Sequence, residues 1–377
     1  MNVREFDFDL PDDLIAQEPP QVRGQSRLLV LPRHSGSIEH TTFAHLADHL
    51  RAGDLLVLND TRVFPARLLG RRVPSGGAVE CLLLRQLPIP NAQRPTPHSE
   101  LPSPQSSSLD VGRLGVGSCE DWDALVHPGQ KLKPGARLEF ERDGVRLHGE
   151  VLGRHFHGRR TVRLWADEGT TVAAAIDRIG HIPLPPYIHR ADEASDRDRY
   201  QTVYARETGS IAAPTAGLHF TPQLIERLTT SGVELTTITL HVGYGTFKPV
   251  RVEQVEEHEV DPESYTVSAA AAEALTRAMR EGRRIVAVGT TTTRALESLA
   301  TEAGTVRPAT GDTRLFIRPG HTFRIVQGLV TNFHLPRSSL LMLVAAFAGR
   351  ERTLAAYREA VERRYRFYSY GDAMLIL

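Results

Sequence analysis

Ala213-Pro214-Thr215-Ala216-Gly217-Leu218-His219-Phe220, with Leu240-His241-Val242-Gly243-Tyr244-Gly245-Thr246-Phe247 a little further on, decides the fold class. Between the two strings, Thr221 is an N-cap residue and Pro222 suits the first helical position, so a helix is expected over Gln223–Thr230. Val233 to Leu240 is β-branched and apolar and predicts a buried strand. His241 and the Gly243-x-Gly245 turn then fall just past its carboxyl end. Ligands of α/β proteins bind there, so the stretch predicts both a fold class and a site.

Outward from it, helix and strand signals alternate at both ends of the chain. Leu28–Leu31 and Asp54–Leu58 are strand candidates, with apolar residues at helical spacing over Phe43–Leu50 between them. Asn59-Asp60-Thr61-Arg62 follows as a polar turn. On the other side, Thr171–Arg178 predicts a helix, Ile182–Ile188 an extended segment held by its prolines, and Asp192–Arg199 a charged, exposed run. Ser268 caps an Ala-rich helix to about Glu281. Arg284–Val288 predicts a buried strand, Thr290–Leu299 a helix, Arg324–Val330 a strand, and Ser338–Phe347 with Thr353–Arg364 two helices. The aromatic tail Phe367–Leu377 is expected to dock.

Residues 62–164 differ. Short segments at Ala66–Leu69, Ala78–Leu84, Arg137–Phe140, Val145–Leu152 and Thr161–Trp165 are separated by turns, which predicts a small antiparallel β-barrel. Pro88–Asp121 is rich in Pro, Ser, Gln and Asn and is expected to be a loosely held loop. The architecture expected is a discontinuous α/β domain, 1–61 with 165–377, carrying an inserted barrel over 62–164.

At 377 residues the chain is long enough for two domains, and 41% hydrophobic with 24% charged residues is ordinary for a globular protein. No apolar run is long enough for a membrane span, and the acidic start MNVREFDFDLPDD is no signal peptide. Cys81 and Cys119 alone exclude a disulfide scaffold and a Cys-rich zinc site, and fit a reducing cytoplasm. Net charge is zero. Basic clusters nevertheless occur around Arg154, Arg159 and Arg160, and around Arg363 and Arg364. Either they are solvated surface with ion pairs, or they contact phosphate.

Five polar elements stand at expected strand ends. Gly289-Thr290-Thr291-Thr292-Thr293-Arg294 leaves free N–H groups at a positive helix terminus, suited to an anion, with Arg294 as an added fork of donors. His241–Thr246 permits close backbone approach. Glu256-Glu257-His258-Glu259 offers a histidine beside carboxylates, able to act as a base or to be a surface turn. Thr331-Asn332-Phe333-His334-Leu335-Pro336 and Leu58–Arg62 complete the set. Neither a nucleophile elbow nor a zinc pattern is present, and no metal is expected.

These strings, with Phe8-Asp9-Leu10-Pro11, Ile15-Ala16-Gln17-Glu18-Pro19, Tyr200–Ala205 and Tyr370-Gly371-Asp372-Ala373-Met374, resemble nearly end to end the S-adenosylmethionine:tRNA ribosyltransferase-isomerases of queuosine biosynthesis. Tyr244 stands where the family usually has alanine, and Asp261 where it often has a second histidine. Pro88–Asp121 lies outside the family pattern. The resemblance implies a cytoplasmic, monomeric transferase that uses S-adenosylmethionine as ribosyl donor. The acceptor is 7-aminomethyl-7-deazaguanine at the tRNA wobble position, and adenine and methionine leave. It implies His219, His241, His258 and Asp60 as catalytic candidates. Asn59, Arg62, Thr215, Gly217, Gly243, Gly245, Thr246, Gly289, Thr290, Arg294, Asn332 and His334 would hold the donor. Arg154, Arg159, Arg160, Arg363 and Arg364 would take tRNA phosphates. A non-catalytic RNA-binding module and an S-adenosylmethionine-dependent tRNA methyltransferase are the alternatives.

Overall fold

A computed structural model of the chain describes residues 1–34, 36–88, 119–247, 250–299 and 304–377. Two compact units emerge: Met1–Val63 with Leu184–Leu377, and Phe64–Pro183.

The first unit is built on a nine-stranded sheet. Its order is Ala309–Thr313, Glu263–Val267, Glu234–Leu240, Leu55–Asn59, Ile285–Val288, Gly328–Asn332, Ala373–Ile376, Arg27–Leu31 and Glu39–Thr42. The four strands from Glu234–Leu240 to Gly328–Asn332 are mutually parallel. Both faces of the sheet's centre are covered, which is why Leu55–Asn59, Ile285–Val288, Gly328–Asn332 and Ala373–Ile376 are buried along their whole length rather than alternating. Leu55, Val57, Ile285, Ala287 and Leu329 pack on one side with helices Ala269–Arg280 and Ser339–Ala348. Leu56, Leu58, Val286, Val288 and Val330 pack on the other with Leu46, Leu224 and Leu228.

Local chemistry sets the boundaries. Thr221, Ser268 and Ser338 each accept a backbone N–H of the first helical turn, as Ncap side chains do. The Phe43–Leu50 segment forms a 3-10 turn before a short helix at Leu46–His49. The expected turn after Asn59 is a strand instead: Thr61–Val63 pairs in parallel with Glu207–Ser210. The run Asp192–Arg199 is not uniformly exposed, because Asp196 is buried and accepts from both terminal nitrogens of Arg190 at 2.7 and 2.9 Å. The C-terminal tail docks as the strand Ala373–Ile376, antiparallel to Gly328–Asn332 and parallel to Arg27–Leu31.

The second unit is a closed six-stranded barrel with antiparallel neighbours: Arg159–Ala166, Glu120–His127, Ala78–Leu87, Arg67–Val73, Arg137–Arg142 and Val145–Arg154. Its strands alternate, as half-buried strands should, with Leu138, Phe140, Leu147, Val151, Val162 and Leu164 inside. Cys81 belongs to this core, and burial pushes its thiol up to about 12. Helix Val172–Ile179 adds Val172, Ala175, Ile176 and Ile179 to the same core. This unit therefore extends past the expected limit at 164. The strand Glu120–His127 was not foreseen, and it claims the last two residues of the Pro88–Asp121 stretch. Most of that stretch, 89–118, lies outside the described residues.

Candidate functional site

Parallel pairing of the four central strands sends their carboxyl ends to one edge. The segments that follow, Asn59–Thr61, His241–Thr246, Gly289–Thr291 and Thr331–His334, therefore emerge together. A cleft opens at this edge. Thr215, Thr246, Gly289, Thr290, Asn332 and His334 all line it. Segments far apart in sequence thus share one site.

Gly289 makes the floor possible. Its φ of 97° is accessible to glycine, and it turns the chain directly from strand to helix Thr290–Glu297. Thr292 and Thr293 donate their hydroxyls to the carbonyls of Val288 and Gly289 at 2.6 and 3.1 Å. Thr290 and Thr291 line the cleft, where the first N–H groups of the helix lack intrahelical acceptors.

Asn332 is 2% exposed, and only half of its amide is satisfied. Its Nδ2 donates to His219 Nε2 and to the Tyr368 carbonyl, each at 3.1 Å, while Oδ1 has no partner among the described residues. That geometry fixes the His219 tautomer: Nε2 accepts, so Nδ1–H donates to Ser26 Oγ at 2.8 Å. Burial first, then the nearby Arg366 and Arg23 charges, holds His219 down to about 3. His334, also held to about 3 by burial, has Nε2 2.8 Å from Thr331 Oγ1. Both rings are neutral at physiological pH. Tyr368 sits at φ 75°, unusual for a side chain of its size, and its N–H donates to the Phe333 carbonyl at 3.0 Å.

Glu263 organises the glycine turn. It is 3% exposed and accepts from Gly243 N at 3.1 Å, Thr246 Oγ1 at 3.0 Å and Arg294 Nη1 at 2.8 Å. Arg294 Nε donates to the Leu315 carbonyl at 3.0 Å. Arg294 therefore braces the turn rather than lining the cleft. Gly245 has its own reason: a Cβ there would meet Asp261 Oδ2 at 2.7 Å. Gly217 similarly accommodates Tyr204, whose hydroxyl would lie 2.2 Å from an added Cβ.

The remaining candidates stand behind or beside the cleft. Asn59 is fully buried, with Nδ2 donating to the Leu240 carbonyl at 2.9 Å and Oδ1 accepting from Thr61 N and Leu240 N. Its amide is consumed in joining two strand ends and is not available to a ligand. Asp60 accepts from Thr239 Oγ1 at 2.7 Å, and Arg62 is exposed. His241 Nδ1 lies 2.8 Å from Thr61 Oγ1, and its ring occupies the space left by Gly209. Burial lowers its pKa, partly opposed by Glu207 and Asp60. His258 packs edge-on against Phe316, its pKa lowered by burial against Asp261. Neither His241, His258 nor His219 is among the residues lining the cleft.

Of the arginines expected to meet phosphate, Arg160 is corrected. It is 2% exposed, and its guanidinium donates to the carbonyls of Gly129, Leu132 and Arg159, which leaves no accessible fork. Arg159 pairs with Asp123, Arg363 with Glu359 and Arg364 with Asp13. Arg154 is exposed.

Several lining residues were not singled out in the sequence. Tyr187, Tyr368 and Ser369 form one wall, where Tyr187 and Ser369 share a hydrogen bond. Tyr187 ends an extended proline-rich run and Tyr368 lies in the docked tail, so neither follows a strand signal. The strand Glu263–Val267 was not foreseen, and the only sequence cue to Glu263 was its place near Asp261.

The model of a family described as "Queuosine biosynthesis protein" matches residues 3–376. Relatives named S-adenosylmethionine:tRNA ribosyltransferase-isomerase include one from Nitratidesulfovibrio vulgaris strain DP4, 52% identical over 98% of this chain and 96% of that one. Another from Symbiobacterium thermophilum is 50% identical over the whole of both. The crystal structure of S-adenosylmethionine tRNA ribosyltransferase from Thermotoga maritima is 38% identical, with a TM-score of 0.52, covering 99% of this chain and 100% of that one. With a match running from the third residue to the last but one, and a cleft assembled from the motif strings themselves, the chain belongs to the queuosine biosynthesis protein family.

Proposed function

We infer that this protein transfers and isomerises the ribosyl group of S-adenosylmethionine onto 7-aminomethyl-7-deazaguanine at the tRNA wobble position, releasing adenine and methionine. The convergence of Thr215, Thr246, Gly289, Thr290, Asn332 and His334 on one cleft carries this reading. The unpartnered Oδ1 of Asn332 is an acceptor for an exocyclic amino group or a ribose hydroxyl of the donor. The helix terminus at Thr290 and Thr291 takes the methionine carboxylate.

The sulfonium of the substrate acidifies the adjacent ribose carbon, so a positioned base removes its proton. Adenine then leaves, the aminomethyl nitrogen attacks, and the sugar recloses as an epoxycyclopentanediol while methionine departs. His334 is the imidazole lining the cleft, and it takes the role of proton acceptor in preference to His219, His241 and His258. Burial keeps its ring neutral, and in the tautomer protonated at Nε2, which lies 2.8 Å from Thr331 Oγ1, Nδ1 carries the accepting lone pair. His219 instead positions Asn332. Glu263 and Arg294 hold the Gly243–Thr246 turn.

Among the described residues no helix is long and apolar enough to cross a membrane. Sedimentation velocity tests the monomer that the resemblance implies. Incubation with S-adenosylmethionine and precursor tRNA should release adenine and methionine in equal amounts. S-adenosylhomocysteine would instead mark a methyltransferase, and no product an RNA-binding module. His334→Gln should abolish adenine release while donor affinity stays within threefold.

A further inference from the structure

A second, small pocket lies beside the cleft and shares Ser369 with it. Pro19, Pro20, Arg23, Arg199, Leu218 and His219 complete most of its wall. Several arginines of the first unit pair with a carboxylate, among them Arg27, Arg190, Arg227, Arg277, Arg283, Arg284 and Arg294. Arg23, Arg199 and the adjacent Arg366 bond instead to backbone carbonyls. Arg23 Nη1 donates to Gln201 and Leu218 at 2.9 and 3.0 Å and Nη2 to Asp198 at 3.1 Å. Arg199 donates to the carbonyls of Pro20 and Gln21, and Arg366 Nη1 reaches that of Glu18 at 3.5 Å.

A guanidinium has five N–H donors, so each of the three retains unengaged ones. The carbonyls orient the forks, and Asp198 offsets part of the Arg23 charge. The buried Asp196 carboxylate is engaged by Arg190 and the Tyr370 hydroxyl. The charges are mutually felt: desolvation and then Arg199 lower the Arg23 pKa, and Arg366 and Arg23 depress that of His219. Oriented cations around a concavity form an anion site.

We propose that Arg23 and Arg199, which line this pocket, together with Arg366 contact a backbone phosphodiester of the tRNA anticodon loop next to the wobble nucleotide, and so deliver that base past Ser369 into the reaction cleft. This rests on the function proposed above. The donor's carboxylate is the other anion at hand, but the helix terminus at Thr290 already offers it a place within the cleft. A phosphodiester suits a cavity bordering the cleft at one side chain's distance, because neighbouring nucleotides of a single-stranded loop splay apart when a base is drawn out.

The test is binding of an unmodified anticodon stem–loop RNA, and separately of S-adenosylmethionine, to wild type, Arg199→Gln and Arg366→Gln across a salt series. Arg366→Gln removes only one long carbonyl contact and guards against misfolding. Each variant should weaken RNA binding about three- to tenfold and lower the slope of log K against log salt by about 1, with donor affinity unchanged. Arg199→Lys should restore most of the affinity. RNA affinity and salt slope both unchanged in Arg366→Gln would overturn the proposal. So would loss of donor binding with RNA binding intact, which would assign the anion to the carboxylate. If wild type binds RNA but releases no adenine, the catalytic reading fails while the salt slopes still decide this one.

Discussion

Glu263 shows how one side chain carries more than its sequence context suggests. It holds two backbone or hydroxyl donors of the glycine turn and the buried Arg294 charge at once. Removing one member of a buried pair leaves an uncompensated charge, so Glu263→Gln should cost about 3 kcal/mol in urea unfolding. The double variant with Arg294→Gln should recover part of that loss. An unchanged unfolding midpoint in Glu263→Gln would contradict this account. Histidines set a second residue-scale expectation. His219 and His334 are held to about 3, below the ordinary 6.5, because burial disfavours the charged ring. Below 6.5 the unfolded chain takes up protons that the folded chain does not. Their stability contribution is therefore complete above that pH and drains as pH falls toward 3, by up to about 1.4 kcal/mol per pH unit for each ring. Urea midpoints at neutral and mildly acidic pH should show this slope, and His219→Gln should make it shallower.

At the scale of elements, the strand-to-helix junction at Gly289 is the most constrained feature of the cleft. Around an added Cβ the nearest atom, Thr291 Oγ1, would be 3.6 Å away, so space is not what demands glycine. The positive φ is, and it costs an L-residue about 1–2 kcal/mol. Gly289→Ala should lose about that much stability. Any relaxation toward negative φ would also turn the Thr290 and Thr291 N–H groups away from the cleft, so donor affinity should fall about tenfold. Calorimetric titration with S-adenosylmethionine distinguishes the two effects. Here the sequence was legible: Val288-Gly289-Thr290 announced a strand, a turn and a helix start. The hydroxyl-rich run was less so, since Thr292 and Thr293 turn out to bond back to the strand rather than face a ligand.

Across the whole molecule, two units with separate cores divide the sequence, and each core sets its own unit's stability. Leu147 is buried inside the barrel, so Leu147→Ala should cost about 2–5 kcal/mol in the unfolding of that unit. Cleft residues belong to the other unit, so S-adenosylmethionine affinity should stay within twofold. A loss of donor binding at temperatures where Leu147→Ala is folded would show the units to be energetically coupled.

Periodicity and composition alone determined most of the central strands and helices, the inserted barrel, and the polar strings at strand ends, because backbone propensity and burial pattern are local properties of the chain, whereas Thr61–Val63 and Glu120–His127 became strands only through pairing. They also announced Gly289, Asn332 and His334. Which polar groups remain free for a ligand was decided only in three dimensions. Asn59 and Arg160 have donors taken by partners distant in sequence, while Asn332 keeps an acceptor unsatisfied. Arg23, Arg199 and Arg366 come together from separate segments and are held by backbone carbonyls. Hydrogen-bond satisfaction and charge compensation depend on which groups meet in space, and no window of sequence contains that information.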